Sequence, residues 1–120
     1  MELQFWHHPH CSKSCTALAL LQARGIAPDV VHYLETPPDA TMLHRLIAIL
    51  GGSARGLLRT GESDCLRLGL DAASANDSMI IEAMTSYPHL IDRPVFIRGA
   101  RAVIGRPPER VLDLLDDPDV

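Results

Sequence analysis

Along this chain, short apolar runs alternate with stripes at helical spacing, and the alternation predicts an ordered series of elements. Leu3 to Trp6 is apolar-rich and ends in aromatics, which predicts a buried strand followed by a loop. From Ser12, Ala17, Leu18, Leu20 and Leu21 recur at the period of a helix that runs to about Arg24. Gly25 supplies its stop and Pro28 lies just beyond. Val30, Val31, His32, Tyr33 and Leu34 are rich in β-branched and aromatic types, so a second strand is expected over 30–34. Thr36-Pro37-Pro38-Asp39 breaks the pattern. Asp39 or Thr41 can cap a helix carrying Leu43, Leu46, Ile47 and Leu50, which Gly51-Gly52 ends.

Residues 53–90 contain no convincing strand and suit short helical pieces over 54–59, 62–68 and 76–86. In the last piece Asn76 or Asp77 is the cap, Ile80, Ile81, Ala83 and Met84 form the apolar face, and Pro88 ends it. Arg93-Pro94-Val95-Phe96-Ile97 begins a third strand. Arg98-Gly99-Ala100-Arg101 is a tight turn with Gly99 at positive φ, and Ala102-Val103-Ile104 returns. Pro107-Pro108 suits the first turn of a last helix, whose Val111, Leu112, Leu114 and Leu115 share one face. The Asp-rich segment 116–119 is read as a frayed tail.

A strand-helix-strand unit of this short span requires parallel pairing through a right-handed crossover. The two ends of the chain then share one mixed four-stranded sheet with helices on its faces. The expected fold class is α/β and thioredoxin-like, a single domain over 1–120 with a helical insertion at about 39–90. The apolar fraction of 47% fits an ordinary globular core. A net charge of -4 gives no global basic field, so nucleic acid is not an expected partner. Met1-Glu2-Leu3-Gln4 lacks the charged and apolar regions of a secretory leader, and no apolar run is long enough to span a bilayer. Three cysteines make a poor disulfide framework, and a reducing cytoplasm is the expected compartment. A monomer is expected.

Cys11 carries the candidate chemistry. It stands where the first strand gives way to the first helix, in His7-His8-Pro9-His10-Cys11-Ser12-Lys13-Ser14-Cys15. A helix start offers unpaired N–H groups and the positive end of the macrodipole. Both favour the thiolate, which is the nucleophile. Nearby histidines and a lysine add positive charge. A metal cluster of His7, His8, His10 and Cys11 is not expected, because no second ligand group accompanies them.

Five segments, in order, give the chain a family resemblance: His7-x-Pro9-x-Cys11-Ser12-Lys13-Ser14, Tyr33-Leu34-Glu35-Thr36-Pro37-Pro38, Leu57-Leu58-Arg59, Asp92-Arg93-Pro94 and Ile104-Gly105-Arg106-Pro107-Pro108-Glu109. It resembles the glutaredoxin-coupled arsenate reductases and the Spx-type regulators that share their fold. The resemblance implies that Cys11 attacks arsenate or a similar oxyanion, which Arg59, Arg93 and Arg106 bind. It implies that His7 lowers the Cys11 pKa and that Pro94 follows a cis bond. Guanidinium groups suit the role, because they stay charged and grip oxyanion oxygens bidentately. Glutathione is the implied co-substrate and glutaredoxin the implied recycling partner, with no bound cofactor and no metal.

The chain also departs from both groups. Arsenate reductases of this type often carry arginine four residues after the cysteine, where this chain has Cys15. Many Spx-type proteins carry Cys-x-x-Cys instead. Two readings of Cys15 stay open: a thiol that resolves oxidised Cys11, and an inert thiol buried on the helix. Cys65 is read as core filler or a surface thiol, and Arg55, Arg98 and Arg101 as solvated. The leading functional expectation is a thiol-dependent oxyanion reductase. The alternatives are an Spx-like regulator that binds RNA polymerase and a glutathione-dependent thiol reductase.

Overall fold

A computed structural model describes residues 3–115, so the expected frayed tail at 116–119 lies outside the described residues. Residue contacts divide the chain into two compact units: residues up to Thr36 together with those from Arg93 onward, and Pro37–Asp92.

The first unit is built on a four-stranded sheet of β1 (Leu3–Trp6), β2 (Asp29–Val31), β3 (Val95–Arg98) and β4 (Arg101–Ile104), in the order β2-β1-β3-β4. β1 pairs parallel with β2 and antiparallel with β3, and β3 pairs antiparallel with β4. Helix α1 (Ser12–Ala23) supplies the crossover between the parallel strands. The register aligns Phe5, Phe96 and Val103 in one cross-strand row. That row meets Ala17 and Leu21 of α1 and Val111 and Leu114 of the C-terminal 3₁₀ helix (Pro108–Leu115) in one buried cluster. Full burial of side chains this size stabilises by roughly 1.5–3 kcal/mol each. The β3–β4 turn uses Gly99 at φ 61°, as its sequence predicts.

Two expectations need correction here. The second strand was expected over 30–34, but pairing covers Asp29–Val31. The chain leaves the sheet in a turn in which the N–H groups of Glu35 and Thr36 both donate to His32 O. Tyr33 is buried from that turn and not from a strand. The last helix is 3₁₀ and starts at Pro108, so Pro107 precedes it. Its buried residues, Val111 and Leu114, follow the eclipsed i, i+3 spacing of that helix type. Leu112 and Leu115 only flank the cluster. Both Arg93–Pro94 and Arg106–Pro107 are cis.

Gly105 leaves no room for a side chain. A Cβ there would come within 2.8 Å of Pro94 Cγ and 3.0 Å of Val111 Cγ1, and a proline ring cannot swing aside. The Gly105 N–H also donates to Pro94 O at 2.8 Å, fixing the approach. Gly105→Ala is expected to destabilise the protein by about 1–3 kcal/mol, the usual cost of overpacking. Urea unfolding checks this, and an unchanged midpoint would contradict it.

The second unit, Pro37–Asp92, is helical. Asp39 caps α2 (Ala40–Leu50) by accepting the Met42 N–H at 2.8 Å, and Gly51 closes it at φ 73°. α3 is short (Ser63–Arg67). Asn76 caps α4 (Asp77–Ser86) through the Met79 N–H at 2.9 Å. α4 packs Ile80, Ile81 and Met84 inward, against α2 and the 3₁₀ turns Ala54–Leu57 and Pro88–Leu90. Cys65 is fully buried, as expected of core filler, and burial first, then the Asp71 charge, raises its thiol pKa. Two of the arginines read as solvated are not: Arg55 donates to Leu70, Ala72 and Ala75 carbonyls, and Arg98 donates to Leu114 O. Among the described residues, no helix is long and apolar enough to cross a membrane.

Candidate active site

Strand β1 delivers the chain to the reactive position. The His7 N–H, just past its end, donates to Val31 O at 2.9 Å and extends the parallel edge. A turn follows, closed by Cys11 N–H to His8 O at 3.0 Å. Cys11 is then the N-cap of α1, extended at φ -102°, ψ 119°, and its carbonyl accepts the first helical bond from Cys15 N–H at 3.0 Å. Its sulfur faces the first N–H groups of α1 without forming a short capping bond to any of them, which leaves it available.

Opposing effects act on that half-buried sulfur. Partial burial is the largest and disfavours the thiolate. Against it stand the Ser14 N–H, a hydrogen bond from the Arg93 side chain, the Lys13 N–H and the Arg93 charge. The sum holds the Cys11 pKa below its ordinary value. Arg106 stands beside the same atom, with Nη2 4.0 Å from Cys11 Sγ. Its Nε donates to Arg93 O at 2.8 Å, so the backbone of one arginine orients the side chain of the other. Residues 82 or more positions apart in sequence thus meet at one sulfur.

His7 is placed differently from what its role in the resemblance suggests. It is buried, and its Nδ1 shares a 2.6 Å hydrogen bond with Ser14 Oγ. Burial first, then the charges of His32 and His8, lowers its pKa, so the ring is neutral near pH 7. It therefore brings no cation to the sulfur. Its contact is with Ser14, whose hydroxyl also accepts the His8 N–H at 3.1 Å and whose own N–H faces Cys11. Ser14 is the residue the sequence reading missed. A signal was present: it sits on the buried stripe with Ala17 and Leu21, where a polar residue needs a partner. His10 is exposed and His8 half-buried.

The structure brings together Cys11, Arg93 and Arg106, with His7 hydrogen-bonded to Ser14. Arg59 belongs to the unit Pro37–Asp92. Its N–H donates to Leu90 O at 2.8 Å, and its guanidinium meets Asp92 at 3.3 Å and Glu62 at 3.6 Å. Cys15 is exposed, which overturns the buried reading of it, and its Sγ lies 3.3 Å from Pro9 O. Among the described residues, no group of His, Cys, Asp and Glu gathers to hold a metal ion.

Fold and site together define a thioredoxin-like α/β protein with a low-pKa cysteine at a helix start, beside two guanidiniums. The chain belongs to the ArsC family, whose model matches residues 6–114. It is 44% identical over 115 residues to YfgD of Escherichia coli, covering 95% of this chain and 97% of that protein. It is 40% identical over 111 residues to an arsenate reductase of Neisseria meningitidis, covering 92% and 95% respectively. The solved arsenate reductase from Vibrio cholerae superposes with a TM-score of 0.90 at 41% identity, over 94% of this chain and 97% of that one.

Proposed function

We propose that this protein reduces arsenate, with Cys11 as nucleophile and a small-molecule thiol as co-substrate. The observation that carries the reading is the sulfur of Cys11, its pKa lowered, with Arg93 hydrogen-bonded to it and Arg106 at 4.0 Å. A tetrahedral oxyanion repels a thiolate, and guanidiniums offset that repulsion while orienting the anion for attack. The Lys13 and Ser14 N–H groups at the start of α1, which face the sulfur, are donors of the kind that bind anions. The resemblance adds Arg59 as a third guanidinium for the anion, and names similar to this activity recur among the relatives.

In this reading the Cys11 thiolate attacks arsenic and an arsenate oxygen leaves as water. The product is a thiol–arsenate adduct, still pentavalent. A glutathione thiolate then attacks the Cys11 sulfur. The sulfur–arsenic bond breaks with its electron pair going to arsenic, so trivalent arsenite departs and a Cys11–glutathione disulfide remains. Glutaredoxin takes the glutathione and restores the Cys11 thiol. Two thiols are oxidised and one arsenic is reduced by two electrons, so the steps balance. The covalent intermediate divides one difficult reduction into easier exchanges.

The test couples arsenate, glutathione, glutaredoxin and glutathione reductase to NADPH consumption. Arsenate-dependent oxidation above a blank supports the reading. Consumption that responds to a glutathionylated peptide and never to arsenate overturns it in favour of a general thiol reductase.

A further inference from the structure

The geometry points to Cys15 as the resolving thiol of Cys11: it attacks the Cys11 sulfur once that sulfur carries a leaving group, and closes an intramolecular disulfide. With arsenate as the group-donor this rests on the function proposed above, and it gives that chemistry a second step that needs no glutathione.

Three observations support it. First, Cys15 is exposed, so it is not a packing residue and it is open to reaction. Second, its side chain leans back along α1, with Sγ 3.3 Å from Pro9 O. Helical side chains point toward the N-terminus, and here that direction is the loop Pro9-His10-Cys11. Third, Cys11 and Cys15 are joined by the first hydrogen bond of the helix, Cys15 N–H to Cys11 O at 3.0 Å. Residues four apart have Cβ atoms about 5–6 Å apart, and a disulfide needs about 3.5–4.5 Å. The gap of roughly 1–2 Å closes at a helix terminus, where local opening is easy. Cys11 is already outside helical geometry, at φ -102°, ψ 119°, so one cap residue absorbs the change.

The chemistry balances. On the thiol–arsenate adduct, the Cys15 thiolate forms a bond to Cys11 sulfur while the sulfur–arsenic pair leaves with arsenic as arsenite. Two protein thiols supply the two electrons. An external dithiol then reduces the disulfide in two exchange steps. An internal thiol one helical turn away competes well with a free thiol, because tethering replaces a bimolecular encounter. The same attack on a Cys11 sulfenic acid, formed by hydrogen peroxide with loss of water, expels a second water and gives the same disulfide.

The experiment uses the full chain, reduced and freed of small thiols, in two arms: arsenate alone, and equimolar hydrogen peroxide. Remaining thiols are then alkylated and the protein cut with trypsin. Lys13 lies between the two cysteines, so cleavage after it separates 1–13 from 14–24 unless a disulfide joins them. The expected result is that joined pair in both arms, with a stoichiometric burst of arsenite in the first. Cys15→Ser is expected to lose the burst and to release arsenite only when glutathione is added. Glutathione-dependent turnover without any thiol-free burst, or an equal burst from Cys15→Ser, overturns the inference and leaves the arsenate reading standing. A joined pair with peroxide, but no arsenite under any condition, supports the resolving role and removes arsenate as the substrate. A disulfide between two chains in place of the internal pair also overturns it.

Discussion

Cys11→Ser is expected to lower arsenate turnover by at least ~10³-fold, because the step it removes is the covalent one. A serine hydroxyl does not ionise near neutral pH, and it cannot hand arsenic an electron pair by forming a disulfide. The same change is expected to leave the fold intact or slightly firmer. Cys11 is the N-cap of α1, and its sulfur faces the Lys13 and Ser14 N–H groups without a short capping bond. Serine is a favoured N-cap, worth up to about 1 kcal/mol over a residue that does not cap. Activity and thermal unfolding measured on one preparation separate the two effects. Turnover within tenfold of wild type would remove Cys11 as the nucleophile. A large drop in the unfolding midpoint would mean that lost folding, not lost chemistry, explained the result.

Arg106→Ala should cost about 10²–10³-fold in kcat/KM for arsenate, the usual loss when a preorganised donor to a developing anion is removed. Its Nη2 is 4.0 Å from Cys11 Sγ, and its Nε is tethered to Arg93 O at 2.8 Å. Arg106→Lys keeps the charge but loses the fork and the tether, so it should recover only part of the loss. Arg93→Ala has a further signature. Arg93 both hydrogen-bonds the sulfur and supplies charge that lowers the Cys11 pKa. The thiolate is the reactive form, so the rate rises with pH through that lowered pKa. Removing Arg93 moves the rise to higher pH, and ultraviolet titration of the thiolate should shift with it. Unchanged titration in Arg93→Ala, with turnover within threefold of wild type, would show that neither charge nor positioning comes from this residue.

Much of the fold could be read locally. The stops and starts at Asp39, Gly51, Asn76 and Gly99 are short-range chemistry, and each acts where its residue type suggests. The Phe5, Phe96 and Val103 row follows from strand alternation. What could not be read locally depends on partners distant in sequence or on helix type. Strand β2 is cut short by a turn that Tyr33 still fills with apolar bulk. The last helix is 3₁₀, and an apolar set at 111, 112, 114 and 115 suits either helix type. Arg55 looks like a surface charge until the carbonyls of Leu70, Ala72 and Ala75 converge on it.

The candidate site divides the same way. Cys11 was legible from its position between strand and helix. Arg93 and Arg106 were named by motif, and the fold sets both beside the sulfur. Composition or periodicity could not have paired residues so far apart. Ser14 was overlooked because a serine in a first helical turn reads as ordinary capping chemistry. Its significance emerges only when His7 and His8 are seen to share its hydroxyl. The side of α1 on which Cys15 emerges was equally hidden, since α1 has apolar residues around much of its circumference.

The sealed thiol of Cys65 turns the protein into its own stopwatch. With burial raising its pKa and no surface exposed, Cys65 meets an alkylating reagent only when the helices around it part. At saturating reagent, the rate at which Cys65 is tagged, read apart from the accessible Cys11 and Cys15 by peptide mapping, therefore times local opening around it within Pro37–Asp92.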